Sequence, residues 1–267
     1  MKKLVATLIS TLLLLSPLAF AGVVMDLVTM NASGLEADRT RIYAQGEMIR
    51  MDEVSGDEAA GSMIFLGNEF LYVDHQDKSY IVMDEAMLDE VSTKISAAMK
   101  QMEAQLASMP PEQRAMVEQM MKGQMQGMIE QQAPSSSAPR VEAKGSGEWK
   151  SYKCRQYAVF EGAEKVQDIC AAQLADVDGA DEVIETFRNM AAYITKMTES
   201  MPMGSDDRIN PGELMDEIDG FPVHTIDYEN GAVVGETSLD SVTEQDFDEG
   251  MFAVPEGYRR QDPFGSP

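Results

Sequence analysis

Histidine is nearly absent from this chain: its 267 residues contain two, His75 and His224. They are far apart, and no G-x-S-x-G or H-E-x-x-H stretch accompanies either, so neither a nucleophilic triad nor a zinc site can be assembled by motif. Carboxylates are too numerous to single out an acid–base pair. Basic residues are scarce, 21 Lys and Arg against 46 Asp and Glu, for a net charge of −25. A surface this acidic repels nucleic acid and anionic headgroups and favours cationic partners or divalent ions, unless it serves solubility alone. Calcium would need an EF-hand ladder. The acidic stretches starting at Asp206 and Asp176 put Arg208, Pro211 and Phe187 where that loop requires an oxygen ligand, a glycine and a glutamate. They read as solvated loops. The single tryptophan, Trp149, could line a groove or fill core. No cofactor is expected from these residues, and no catalysed reaction.

Long apolar runs are missing as well. The longest, Leu4–Leu15, follows two lysines and precedes Ala19-Phe20-Ala21. It is too short for a membrane span and reads as a secretory signal peptide over residues 1–21, cut between Ala21 and Gly22. Removing it takes away two lysines and moves the net charge from −25 to −27. The expected compartment is the periplasm, with no stable membrane insertion. Cysteine occurs twice, at 154 and 170. In an exported chain an isolated pair forms a disulfide, and the close C-x-x-C spacing of a redox pair is lacking. The intervening RQYAVFEGAEKVQDI has β-type residues on both sides of Gly162. A three-residue hairpin loop there would set Cys154 directly opposite Cys170.

Strand patterns fill residues 23–84. VVMDLVTMN alternates with imperfect phase, RIYAQGEMIRMDEV bends at Gly46, and SMIFL, EFLYVD and SYIVMD form a meander turned at Gly67-Asn68 and His75–Lys78. Such a sheet has one apolar face in need of cover. Leu88, Val91, Ile95, Met99, Met102, Leu106 and Met109 then recur at helical spacing. Pro110-Pro111 breaks that helix, and a second, carrying Met116, Met120, Met121, Met125 and Met128, completes a helical hairpin. QQAPSSSAPR (131–140) is a flexible linker. Strands resume through the cysteine hairpin, and a third helix is expected over Ala180–Met201 from Val183, Phe187, Met190, Ile194, Met197 and Met201. After an acidic loop, a hairpin turns on Asn230-Gly231, and a short strand is expected near Met251–Val254. The fold class is α+β: a curved antiparallel half-barrel covered by the Met-rich helical hairpin and the third helix. Residues 22–262 are expected to form one domain, two domains split at the linker being the alternative, with 263–267 a disordered tail.

The G-x-M-x-R-M-D strand at Gly46–Asp52, the meander through Asp84, the MPPEQRAMVEQMM helix and the FPVHT…MFAVPEGY ending resemble a family of secreted bacterial proteins defined as a domain of unknown function. More loosely, the architecture is similar to the LolA/LolB superfamily of periplasmic lipoprotein carriers. That resemblance implies an unclosed half-barrel lidded by helices over an apolar cavity, and it brings no catalytic residues.

Methionine supplies the candidate site. Ten of the 22 methionines fall between Met83 and Met128. Thioether side chains are flexible and polarizable, so a groove lined by them adapts to varied guests. The expected apolar groove comprises Met99, Met102, Leu106, Met109, Met116, Met120, Met121, Met125, Phe187, Met190, Ile194 and Met197. Its occupant would be a lipid-like molecule or a hydrophobic or lipidated protein segment, with Gly123, Gly127 and the linker letting the hairpin lift. A methionine stripe also suits plain core packing. The M-x-x-x-M spacings suit Cu(I), exposed thioethers could trap oxidants, and a sensory or scaffolding module would need no small ligand at all.

Overall fold

The structure, a computed structural model, describes residues 22–55, 58–108, 110, 139–199, 211–248 and 250–262. The expected signal peptide, Met109, the second Met-rich helix with Met116, Met120, Met121 and Met125, the linker through residue 138, Met201 and the tail 263–267 lie outside the described residues.

Six strands run in succession: β1 (Gly22–Asn31), β2 (Glu36–Gln45), β3 (Met48–Ser55), β4 (Glu58–Phe65), β5 (Phe70–Asp74) and β6 (Ser79–Met83). Helix α1 (Glu85–Ser108) follows. Strands β7 (Arg140–Trp149), β8 (Tyr152–Glu161) and β9 (Glu164–Ala172) lead to α2 (Ala180–Glu199) and the short α3 (Pro211–Glu217). Then come β10 (Phe221–Glu229), β11 (Ala232–Gln245) and β12 (Arg259–Arg260). All twelve strands join one open, curved sheet, ordered β12-β6-β5-β4-β3-β2-β1-β11-β10-β9-β8-β7. The two meanders meet where β1 pairs antiparallel with β11, so the two β-rich halves share a single sheet. Every pairing is antiparallel except β12 on β6.

Tight turns set the register. Gln45 pairs with Met48 across a two-residue turn whose Gly46 has φ +61°, and Asn230-Gly231 turns β10 into β11 with both residues at positive φ. Strand β1 itself runs without an inserted residue through both of its ladders. Its partners are bulged: Asp240 of β11 is the extra residue opposite Asp26/Leu27, and Ala37 of β2 the extra residue opposite Thr29/Met30.

The main core lies between the sheet and α2. Val23, Met25, Ile42, Ala44, Ile49, Phe65, Phe70, Leu239 and Val223 meet Ala180, Val183 and Ile184, with Phe187, Met190, Ile194 and Met197 partly buried against them. A second cluster, Ile64, Leu71, Val73 and Val82, is capped by the C-terminal segment through Phe252, Phe247 and Met251. The expected helix at 88–109 is present as α1, and its first turns are anchored through buried Leu88 and Val91. Met99 and Met102 are 54% and 39% exposed. Farther along α1, Lys94 pairs with Glu90 and feels the charge of Asp262, just past the edge strand β12. Helical spacing reports that a helix forms and leaves open what it lies on. Among the described residues the third helix, α2, covers the sheet as expected.

Three expectations are corrected. Residues 251–254 form turns, and the last strand is β12. The acidic stretch before β10 contains α3, with Pro211 at its first position, where a missing N–H costs nothing. The cysteines are bridged, but Cys154 pairs with Ala172 and Gln156 with Cys170. The β8–β9 turn is two residues long, between Glu161 and Glu164, and a bulge at Val159/Phe160 offsets the ladder. The bond therefore runs diagonally, across a Cα–Cα distance of 5.3 Å. Replacing both cysteines with serine is expected to lower unfolding free energy by about 3 kcal/mol in the chain-entropy account. Urea denaturation with and without reductant checks this. A wild-type midpoint unmoved by reductant that has demonstrably opened the bond would contradict it.

Candidate functional site

The site is built on α2. Gly179, at φ +66°, turns the chain into the helix, and its carbonyl accepts the N–H of Val183. Apolar residues at helical spacing point one face of α2 at the sheet. Its second turn is pinned to the β2–β3 hairpin: Thr186 Oγ1 lies 3.0 Å from Gly46 O and 2.9 Å from Glu182 O, and Glu182 Oε1 accepts the Gly46 N–H. Helix α3 packs beside α2, with Arg188 and Asp216 paired at 3.4 Å.

Between α2, α3 and the sheet lies a cavity of about 280 Å³. Leu27 and Ile42 form its floor, Ile184 and Phe187 of α2 and Leu214 and Met215 of α3 its walls. Ile218, Phe221 and Pro222 close one end, and Ile169, Gln167 and Thr225 the other. Polar groups are few. Gln167 spends its amide on Asp227 Oδ1 at 2.7 Å, which leaves Thr225 as the principal hydroxyl at the wall. The volume sits just under the roughly 300–1,000 Å³ of small-ligand pockets, and such a lining selects apolar matter. Gly220 borders the cavity at φ +127°, and a Cβ there would run into the Ala172 carbonyl, so the backbone between α3 and β10 can approach β9 closely only with glycine.

Of the expected groove residues, Phe187 lines this cavity. Met190, Ile194 and Met197 lie on the same helix, packed into the core rather than onto the cavity. Met99 and Met102 are exposed on α1, and Leu106 is half-buried there. Sequence reading misses Leu27, Ile42, Ile169, Leu214, Met215 and Ile218. The alternation in β1 and β2 marks the first two as inward-facing, but nothing local joins them to residue 187.

Tyr193, two turns beyond Phe187, is held by Phe65 and Phe70 with ring centroids 5.7 Å away. Its hydroxyl is buried with no hydrogen-bond partner among the described residues. Burial pushes its phenol above the ordinary tyrosine range, and the carboxylates of Asp84, Glu85 and Glu69 add to the effect. Because that hydroxyl lost water and gained nothing, Tyr193→Phe is expected to raise stability by about 1 kcal/mol. A lowered thermal midpoint would show that the hydroxyl has a partner after all.

Two polar constellations lie elsewhere. Trp149 stacks on His224, centroids 3.6 Å apart and planes within 3°, beside a cavity of about 390 Å³ near the disulfide. His224 Nε2 donates to Glu236 Oε1 at 2.7 Å. On the sheet face capped by the C-terminal segment, Arg50 grips Asp52 through Nε at 2.6 Å and Nη2 at 3.0 Å. Ser62 Oγ donates to Asp52 Oδ1 at 2.6 Å and contacts His75 Nε2 at 2.7 Å, and His75 Nδ1 meets Tyr258 OH at 2.9 Å. With the serine proton given to Asp52, His75 Nε2 is the donor to Ser62, and in the neutral ring Nδ1 accepts from Tyr258. These are the residue types of a hydrolytic triad in a different arrangement. Ser62 is 1% exposed and its proton is directed at the carboxylate, so the network ties the C-terminal segment down. The sequence places His75 in a turn, solvent-facing or packed; it does sit in the turn, with its ring in this network.

Among the described residues no helix is long and apolar enough to cross a membrane, and no group of three or more His, Cys, Asp or Glu is placed to hold a metal ion. Fold and cavity together define an open, curved α+β sheet with helices over an apolar pocket. The chain belongs to the domain-of-unknown-function family DUF4412, whose model matches residues 83–258, from the end of β6 to the edge of β12. This agrees with the resemblance read from the sequence. No curated protein matches. Among solved structures, an uncharacterized conserved protein from Thermus thermophilus is similar at TM-score 0.44 and 6% identity, over 91% of this chain and 90% of that one. A LolA superfamily protein from Nitrosomonas europaea is similar at TM-score 0.30 and 7% identity, over 89% and 91%. PNGF-II gives TM-score 0.40 and 7% identity over 91% of this chain, which spans 31% of that longer one. Likenesses this distant carry no argument about ligand or chemistry.

Proposed function

We propose that this protein is a non-catalytic binding protein that holds an apolar ligand in the cavity between its sheet and helices α2 and α3. The cavity itself carries the reading: its walls are almost wholly hydrocarbon, with Leu214 and Met215 of the short helix α3 forming one of them. The ligand class is an acyl chain or a hydrophobic or lipidated protein segment, since neither needs more than a dry, shaped slot. An oxidising compartment such as the periplasm fits the Cys154–Cys170 bridge.

Titration with a dansylated fatty acid tests the proposal. Saturable binding of one probe per chain, with blue-shifted emission, is expected, together with competition by unlabelled fatty acid. Non-saturating emission proportional to protein surface would overturn it.

A further inference from the structure

A second apolar surface lies on the same sheet, beyond the reach of α2. Ladder partners directly opposite one another share a face, so one row can be followed from strand to strand: Met25, Ile42, Met51, Met63, Tyr72 and Ile81. Its first two members are core. Met51 still packs against the main core, and beyond it the row emerges: Met63 and Tyr72 are 38% and 45% exposed. The parallel row two residues along each strand reads Thr40, Glu53, Gly61, Asp74 and Ser79, with Arg259 of β12 beside Ser79 at the sheet edge. At Gly61 there is no side chain, and Tyr72 OH stands 3.7 Å from where a Cβ would be, so the phenol leans over bare backbone. On the opposite flank the row Ile49, Phe65, Phe70 and Met83 is sealed by Tyr193, whose neighbourhood carries Glu69, Asp84 and Glu85. The strip is thus methionine and tyrosine at its centre with carboxylates on both flanks, in a chain of net charge −25.

We propose that the Met51–Met63–Tyr72–Ile81 strip is a docking surface for a cationic amphipathic segment of another protein, one that presents apolar side chains to the strip and lysine or arginine to its acidic flanks. Tyrosine and methionine are enriched at the centres of protein interfaces, where polar rims surround them. Carboxylates on both sides select a basic partner and reject an acidic one. The strip is separate from the cavity under α2, so the two proposals stand or fall independently.

Fluorescence anisotropy of a labelled leucine/lysine amphipathic peptide, read at about 0.15 M salt, where long-range attraction is largely screened, tests the docking. Saturable binding is expected. The double variant Met63→Ser/Tyr72→Ser and the single variant Glu53→Lys should each weaken it by about tenfold or more, as for central interface residues. A leucine/glutamate peptide and an oligolysine should bind poorly. All three substituted residues are exposed, and unchanged thermal melting of the variants excludes misfolding as the cause. Thr225→Trp, inside the cavity, should leave peptide binding intact. No saturable binding, or equal binding of oligolysine, would overturn the proposal. So would Met63- and Tyr72-dependent self-association in sedimentation velocity, stronger binding to anionic lipid vesicles than to the peptide, or protection of Met63 from peroxide in the free protein.

Discussion

Replacing Asp52 with alanine is expected to lower unfolding free energy by about 3–5 kcal/mol, the range for breaking one side of a buried ion pair. Asp52 is 5% exposed, and its carboxylate takes two bonds from Arg50 and one from Ser62. Without it the Arg50 guanidinium stays buried with its charge uncompensated. Ser62 loses the group that orients its hydroxyl, and His75 and Tyr258 lose their anchor in turn. Arg50 Nη1 also donates to Met251 O at 3.0 Å, so the damage reaches the segment that caps the second core. Asp52→Asn, which keeps the shape but turns a donor toward Arg50, should cost nearly as much. Exchanging both partners for apolar residues, Arg50→Met with Asp52→Leu, should recover much of the loss, because no charge is then stranded. Urea denaturation measures all three. A loss under about 1 kcal/mol for Asp52→Ala, typical of an exposed pair, would contradict the account.

The second large effect concerns the cavity. Thr225→Trp projects an indole from β10 into the space bounded by Phe187, Leu214 and Ile42. Tryptophan is well tolerated on a strand, so the fold should persist. A ligand must then compete with the indole for the same volume, and forcing both in costs roughly 1–3 kcal/mol, which corresponds to about fivefold to 150-fold weaker binding. Titrating the variant with dansylated fatty acid provides the check. Unchanged affinity would place the probe somewhere else on the molecule.

The sheet was legible because strand alternation and glycine turns are local. Gly46, Gly67 and Gly231 mark hairpins that the structure contains, and the SMIFL and EFLYVD segments fall on β4 and β5, where Phe65, Phe70 and Val73 are buried. Errors came where one residue shifts a register. The bulge at Val159/Phe160 moved Cys154 off its expected partner without preventing the bridge. Helix α3 escaped notice because seven residues carry barely two turns of periodicity inside an acidic run. The methionine stripe gave the helix but not its contacts: Met99 and Met102 are exposed, whereas Phe187 and Met190 of the third helix pack against the core. The cavity itself could not be read. Leu27, Ile169, Phe187 and Thr225 become neighbours only because β1 pairs with β11 and α2 folds back over that seam. The Arg50–Asp52–Ser62–His75–Tyr258 network is equally non-local, joining two strands, a turn and the C-terminal segment.

Native mass spectrometry of the protein secreted by its expression host and purified without detergent tests the central claim most directly, with the Thr225→Trp variant run beside it. The expected spectrum carries one apolar molecule per chain, released on denaturation and missing from the variant. Empty wild-type protein that also fails to take up fatty acid on addition would contradict the claim that the space under α2 and α3 is a binding site.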